Sequence, residues 1–548
     1  MIEIVLITGH LETGKTDLAT RLSVEHGYSF FRTSKHVEEI FTARGEKEFH
    51  RVKLQQLGKT LDLETDSKWV YNHVSTLVEE GQKKIVVDHV RNNNQLAHFR
   101  QNPNWRTIHV HLYEPKDRLI EQYKERSVDE KLEYQVADPV ESKEDIERFK
   151  EDADIRINTD RTDRTDTYIR VASRLRIFSN PDEKCVDVLI GGQFGSEGKG
   201  HIAASISKNY SMIVRVGGPN AGHTVSSSSG VYTYHQLPSG AKDCRAKLLL
   251  GPGMTIDKDK LLAEIADCGI SPDRLCIDPQ AILITEADKA AEEKNRTEIA
   301  STASGSGAAA ARRIRERTSV PPMLAKDDPD LKVFTEKRQV FAGDAIAELE
   351  LHYKKGAKVL LEGTQGSGLS IFNGQYPHVT SRDTNVAGCL AEVGISPKRV
   401  RRIIMVVRTT PIRVGDPDDD KFTSGHLKNS TTFKEIALKS GLNPEKVEAA
   451  EKTSTTNRPR KVGWFDWELF RRSCMINSPT DIALTFVDYL DAENQSARRF
   501  EQLSDDTIKF IEELEHVGQA PVSIINTRFQ RLQDNSDLRS MIDRRDWW

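Results

Sequence analysis

The chain has no run of about 18 apolar residues, so no membrane-spanning helix is expected among its 548 residues. It has only six cysteines, Cys185, Cys244, Cys268, Cys276, Cys389 and Cys474, with no CxxC pair and no histidine cluster beside them. That pattern argues against a zinc site or a disulfide scaffold and for reduced thiols in a cytoplasmic protein. Neither sign of charge is in large excess. Lysine and arginine number 79 against 83 aspartates and glutamates, a net charge of -4. An electrostatic nucleic-acid binder is therefore not expected. Local basic runs such as Arg312, Arg313 and Arg315 are left as candidates for small anionic ligands. The opening segment lacks a basic stretch, and its apolar run is only a strand long, so it does not read as a signal peptide.

What the chain does have is enough apolar residue for a core, 37%, and a heavily charged remainder, 30%. Its length suggests two or three domains. Residues 2–8 form a short apolar run ending at Gly9, the pattern of a buried parallel strand. A helix is expected over 15–26, further strands at 84–90 and 107–113, and a short one near 153–158. That alternation predicts a doubly wound α/β domain over residues 1–178. Residues 179–184 (SNPDEK) carry helix and strand breakers and read as a linker. A second α/β domain, 185–548, opens at Val186, with strands expected at 357–362, 402–408, 481–487 and 521–526. The runs at 226–230 (SSSSG) and 304–311 (SGSGAAAA) have the composition of mobile loops inside a domain.

Residues 9–16, from Gly9 through Gly14 and Lys15 to Thr16, fit G-x-x-x-x-G-K-[ST] between a predicted strand and a predicted helix. Backbone N–H groups of such a loop surround phosphate oxygens. Lys15 would bridge the terminal phosphates and Thr16 would hold Mg²⁺. Asp88 ends an apolar strand, which suits a metal or acceptor contact and equally a helix cap. Arg91, Arg118 and Arg126 are either phosphate clamps or solvated helix charges. This region resembles P-loop nucleoside-monophosphate kinases, and its phosphate acceptor is not readable.

Residues 191–200 (GGQFGSEGKG) form a second glycine-rich loop. Five residues separate Gly192 from Gly198, and Gly200 stands where a Walker loop has a hydroxyl. Further segments follow: RVGGPNAGHTV at 215–225, EGTQGSGL at 362–369, YPHVTSRDTN at 376–385, RVG at 413–415, TTNRPRKVGWFD at 455–466 and LTFVDYL at 484–490. In this order the segments closely resemble the signatures of adenylosuccinate synthetase, over roughly residues 186–530.

The resemblance implies a P-loop-related α/β ligase that works in two steps. A nucleoside triphosphate phosphorylates the purine 6-oxo oxygen, and the amino group of L-aspartate then displaces phosphate. Phosphorylation turns a poor leaving group into a good one. The resemblance assigns Lys199 to the γ-phosphate, His223 to general acid catalysis at the purine oxygen, and Gln365 to the same centre. It assigns Asn220, Thr302, Thr380 and Arg413 to the substrate nucleotide, with Arg312 lent across a homodimer to its phosphate. Thr456, Arg458 and Arg460 would grip the aspartate carboxylates, a task suited to forked donors. Gly195, Glu197, Gly198, Gly200, Thr224, Phe486, Asp488 and Asn526 fall at the triphosphate, and the carbonyl of Gly222 at Mg²⁺.

The sequence departs from the family in four places. Ser196 stands where the family has an aspartate that serves as base at purine N1, and serine has no useful basicity near neutral pH. Either the loop is inactive or the substrate has changed. A hydroxyl leaves room for the 2-amino group of guanine, and the same change marks phage-type 2-aminoadenylosuccinate synthetases, which act on dGMP. Phe486 replaces a lysine that packs on guanine of GTP, and Asn526-Thr527-Arg528 replace a small-residue guanine contact, so ATP or dATP joins GTP as a candidate donor. Asn457 replaces a glycine in the aspartate loop, a milder change, since Asn tolerates positive φ better than most residues. Three readings stand: a ligase acting on a (d)GMP-type nucleotide, an ordinary adenylosuccinate synthetase acting on IMP with water or Glu197 compensating, and a purine-nucleotide sensor without turnover.

Overall fold

The computed structural model describes residues 2–45, 51–126, 143–160, 162–227, 230–318, 323–336, 343–415, 424–451, 460–528 and 540–545. The chain divides into two compact units, Met1–Phe178 and Ser179–Trp548.

The first unit contains strands β1 (Ile2–Gly9), β2 (Ser29–Arg32), β3 (Lys84–Asp88), β4 (Trp105–Tyr113) and β5 (Ile155–Asn158). They form one parallel sheet in the order β2-β3-β1-β4-β5. β1 is apolar on both faces because helices cover both: Ile4 and Leu6 face one core, Val5 and Ile7 the other. Strand order reverses beside β1, where parallel sheets open a crevice beyond their C-terminal ends. The predicted strand at 84–90 stops at Asp88 because His89 takes a positive φ of 66°.

The second unit opens with β6 (Val186–Gly191) and β7 (Met212–Arg215), followed by the hairpin β8 (His223–Ser227) and β9 (Gly230–Tyr234). Next come β10 (Lys247–Leu250), β11 (Thr255–Ile256), β12 (Leu275–Ile277), β13 (Ile282–Leu283), β14 (Val359–Glu362) and β15 (Val400–Arg408). The last strands are β16 (Ile412–Val414), β17 (Ser430–Thr431), β18 (Arg460–Gly463), β19 (Asp481–Thr485), β20 (Val522–Asn526) and β21 (Met541–Asp543). Nine of these form the main sheet in the order β12-β10-β7-β14-β6-β15-β19-β20-β21, parallel except for the last pair. β6 lies between β14 and β15, so its C-terminal glycines emerge mid-sheet. Val188 and Ile190 face one core and Leu189 the other.

Three expectations are corrected. Residues 304–311 are not a mobile loop: Ser306–Arg315 is a helix whose first turn is held by Glu292, which accepts from Gly305 N at 2.8 Å, Gly307 N at 2.5 Å and Ala308 N at 2.9 Å. Its four consecutive alanines are the strongest helix formers. Residues 179–184 are not a free tether, because Ser179 bonds Glu350 and Asp182 pairs with Lys398 at 2.5 Å, both inside the second unit. The strand expected to 487 ends at Thr485, since Phe486 turns to φ 58°.

Candidate active site

Both phosphate loops are built alike. Each strand ends in glycine, and each following helix starts after a left-handed glycine: Gly14 at φ 89° before Lys15–His26, Gly198 at φ 86° before Lys199–Ile206. The lysine is the first helical residue in both, so the free N–H groups of the helix start surround its neighbourhood. In both, the ammonium folds back onto the protein, Lys15 to His10 O at 2.5 Å and Lys199 to Glu197 Oε2 at 2.5 Å.

The loops differ at the next residue. Thr16 donates to Asp88 Oδ2 at 2.8 Å, a hydroxyl and carboxylate pair that fits a magnesium ion. Burial raises Asp88, against the Thr16 bond and Lys15. Arg164 reaches Glu12 O at 2.8 Å and lies so close that a Cβ on Gly14 would sit 1.9 Å from it. Arg91 is buried against Gly58. Arg118 pairs with Asp160 at 3.2 Å on the surface, and Arg126 closes the helix Lys116–Arg126.

At the second loop, a Cβ on Gly200 would meet His223 Cβ at 2.6 Å and Ser239 Oγ at 3.1 Å. Glycine is there because the histidine packs flush against the loop, and a Walker hydroxyl would not fit. A cavity of about 320 Å³ opens here. Its walls include Gly195, Ser196, Gly198, Lys199, Gly200, Asn220, Gly222, His223, Thr224, Thr302, Gln365, Thr380, Arg413, Arg460 and Phe486. The glycine-rich turn and the imidazole therefore share one space. Ser196 is exposed into it at φ 55°, and Gln365 and Phe486 also hold left-handed backbone, at 55° and 58°. Non-glycine residues in that region are uncommon and gather at functional sites. Gln365 donates to Thr380 at 2.9 Å, while its buried Oε1 and the buried Oδ1 of Asn220 have no hydrogen-bond partner among the described residues. Such orphan acceptors fit a ligand that brings N–H or O–H groups.

His223 is fixed from behind. Its Nδ1 lies 2.6 Å from Glu362 Oε1, 2.5 Å from Arg215 Nη1 and 3.1 Å from Ser239 Oγ, leaving Nε2 as the nitrogen for the cavity. Burial, with Arg215 beside it, brings His223 down to about 4. Burial alone would raise Glu362, but Arg215, His223 and Ser239 outweigh it and hold the carboxylate near 2. Arg215, Ser239 and Glu362 were not singled out from the sequence.

Several expected residues are engaged by the protein itself. Glu197 is fully buried and spent: it accepts from Gln193 N at 3.1 Å and Gly195 N at 2.8 Å, and pairs with Lys199. It cannot compensate for Ser196 while so engaged. Within its own chain Arg312 is held by Asp288 at 3.0 and 2.9 Å and by Leu283 O at 2.8 Å. Phe486 is not an open stacking platform, since it is 2% exposed with the Arg408 guanidinium 3.8 Å over its ring. Asp488 is buried outside the cavity wall and raised to about 7 by burial, with Gln495 on one oxygen at 3.1 Å. Asn526 bonds Ser540 O at 3.2 Å. Thr456, Asn457 and Arg458 lie outside the described residues. For magnesium, this cavity offers the neutral oxygens of Ser196 and Gly222, which fits an ion carried in on the triphosphate rather than caged by the protein. Among the described residues no three histidine, cysteine or acidic side chains gather as a metal site.

A phosphate loop at the sheet's switch point, a buried histidine across from it and orphan acceptors between them define a nucleotide-dependent enzyme. The family follows from comparison. The adenylosuccinate synthetase family model matches residues 188–328 and 329–495. The adenylosuccinate synthetase of Methanocaldococcus jannaschii is 35% identical over 362 residues, 64% of this chain and 96% of that protein. The Pyrococcus horikoshii enzyme is 33% identical over 368 residues, 66% of this chain and 98% of that one. The chain belongs to the adenylosuccinate synthetase family. Two solved structures share the fold at 22% identity, each over 66% of this chain. One is fully ligated adenylosuccinate synthetase from Plasmodium falciparum, with a TM-score of 0.55 and 99% of it covered. The other is cyanophage S-2L succinoaminodeoxyadenylate synthetase bound to dGMP and dATP as an energy donor, with a TM-score of 0.53 and 96% covered.

Proposed function

We propose that the second unit joins L-aspartate to C6 of a guanine mononucleotide, GMP or dGMP, giving a 2-amino-(deoxy)adenylosuccinate. The γ-phosphoryl group of a triphosphate passes to O6, the diphosphate leaves with the bridging oxygen's electron pair, and N1 releases its proton to solvent. The aspartate amine then attacks C6, phosphate leaves with the O6 electron pair, and the amine loses a proton. His223, braced by Glu362, faces the charge that grows on O6, and Lys199 turns from Glu197 to the γ-phosphate. Bound magnesium would neutralise charge on the transferring phosphate. Asn220, Thr302, Gln365, Thr380 and Arg413 are proposed to hold the nucleotide, and Thr456, Arg458 and Arg460 the aspartate. Arg312 of a second copy of the chain is proposed to reach the nucleotide phosphate across a homodimer.

One observation carries the choice of guanine. Ser196 presents a hydroxyl to the cavity where a carboxylate is expected, and the neighbouring Glu197 is locked in the loop. A carboxylate beside C2 suits a purine with hydrogen there, whereas a hydroxyl accepts from a 2-amino group. The cyanophage enzyme of the same fold is bound to dGMP, and its dATP makes adenine triphosphates candidates for the donor beside GTP. Incubation with aspartate, Mg²⁺ and ATP, dATP or GTP, offering IMP, GMP or dGMP in turn, tests the reading. Phosphate release with an ultraviolet shift is expected for the guanine nucleotides. Turnover confined to IMP would make it an ordinary adenylosuccinate synthetase, and binding without phosphate release a sensor.

We also propose that the first unit is a second Mg²⁺–triphosphate site of nucleotide-kinase type, with Lys15, Thr16 and Asp88 around the phosphates. The Thr16 to Asp88 bond, absent from the second loop, supports it. In the parent, calorimetric titration with a non-hydrolysable triphosphate should show an extra site that Lys15→Ala abolishes; equal stoichiometry in both proteins refutes it.

A further inference from the structure

Arg408 ends the apolar strand β15 with a fully buried charged side chain. It does not line the cavity, yet it touches two residues of its wall, Ser196 and Phe486. The Gln193 side chain clamps its backbone from the glycine-rich loop, accepting from Arg408 N and donating to Arg408 O, both at 3.0 Å. The guanidinium donates to Ser196 O at 3.4 Å and to Glu451 Oε1 at 2.8 Å, and it covers the Phe486 ring at 3.8 Å. Ser196 and Phe486 are two of the left-handed residues of the site. Glu451 is itself buried; it takes Tyr489 OH at 2.9 Å and, on its other oxygen, Arg460 Nη1 at 2.8 Å. Glu451 and Arg460 flank residues 452–459, the segment that carries Thr456 and Arg458.

We infer that Arg408, through Glu451, is a positioning residue that ties the turn at Ser196 to Arg460, the proposed aspartate-binding arginine on the cavity wall. Stability alone does not call for this pair, since two well-packed uncharged side chains of similar volume serve a fold equally well. What the charged pair adds is direction. The planar fork meets a carbonyl and a carboxylate at fixed angles, and the same carboxylate meets Arg460. Arg460 thus reaches the cavity wall with its orientation set by Glu451, and Glu451 with its orientation set by Arg408. The inference rests on the ligase reading of this site and specifies how its second substrate is held.

The double variant Arg408→Met/Glu451→Gln removes both charges at similar volume. The parent is assayed first with whichever purine nucleotide it turns over. In the variant, the KM for aspartate is expected to rise about tenfold or more while the KM for the purine nucleotide stays within about threefold. Positional isotope exchange in the donor triphosphate, which needs only phosphoryl transfer to the purine and its reversal, is expected to persist. An unchanged aspartate KM overturns the inference, as does loss of isotope exchange together with C–N bond formation. So does loss of the native circular dichroism spectrum, because the pair would then hold the fold rather than Arg460. A parent that turns over no purine nucleotide overturns the ligase reading itself, and the inference with it.

Discussion

At Gly200 the two phosphate loops part ways, for a steric reason. The second loop has His223 where a side chain would project, 2.6 Å from a Cβ. Gly200→Ser, which restores the Walker hydroxyl, is therefore expected to lower kcat about a hundredfold by displacing the imidazole, with a stability loss of about 1–3 kcal/mol. Steady-state kinetics and thermal melts on the same preparation check this; full activity would show that His223 is not held against the loop. Single residues also set the limits of reading the sequence. Lys199, His223, Ser196 and Gln365 stood out because they sit in motif segments, and they share one cavity. Arg215, Glu362 and Arg408 carry no motif of their own, although each is the charged last residue of an apolar strand, in MIVR, VLLE and VVR. Asp88 carries the same signal at the end of KIVVD. A charge that closes a buried parallel strand is placed at the sheet's C-terminal edge, where ligands bind.

At the scale of elements, apolar runs located the strands well and their ends less well. The 402–408 and 107–113 strands start two residues earlier than expected, at Val400 and Trp105, because the half-buried Val400 and Trp105 and the exposed Arg106 still pair in the sheet. β2 was not expected; SFFR is too short to show a period, and its pairing with β3 is what makes it a strand. The helix Ser306–Arg315 was hidden by its Ser/Gly-rich start, whose N–H groups are satisfied by the distant Glu292. β4 carries a pH dependence. His109 and His111 lie on one face, bonded to Thr8 Oγ1 at 2.7 and 2.9 Å, and burial brings them down to about 3 and about 4. Both bind fewer protons folded than unfolded, so their contribution is complete above the unfolded value of about 6.5 and is lost as pH falls toward 4. At pH 5 the loss is about 2 kcal/mol for each histidine. Thermal melts at pH 7.5 and pH 5 should differ, and His109→Gln/His111→Gln should shrink the difference. Equal acid sensitivity in that variant would assign the effect to other groups.

At the scale of the whole molecule, two units each close a core around their own parallel sheet, and each sheet delivers a phosphate loop at its switch point. Calorimetry is expected to resolve two unfolding transitions. The larger, from the unit beginning at Ser179, should move up with the purine nucleotide and the smaller should not. A single transition shifted as a whole would show the units to be energetically one. The proposed preference for a guanine nucleotide rests on the hydroxyl at Ser196, and it is tested by comparing kcat/KM for dGMP and for IMP in the parent and in Ser196→Asp. The parent is expected to favour dGMP, and the variant, with a carboxylate beside N1, to shift toward IMP by about a hundredfold or more in the ratio. A parent that favours IMP, or a ratio unmoved by the substitution, would contradict it.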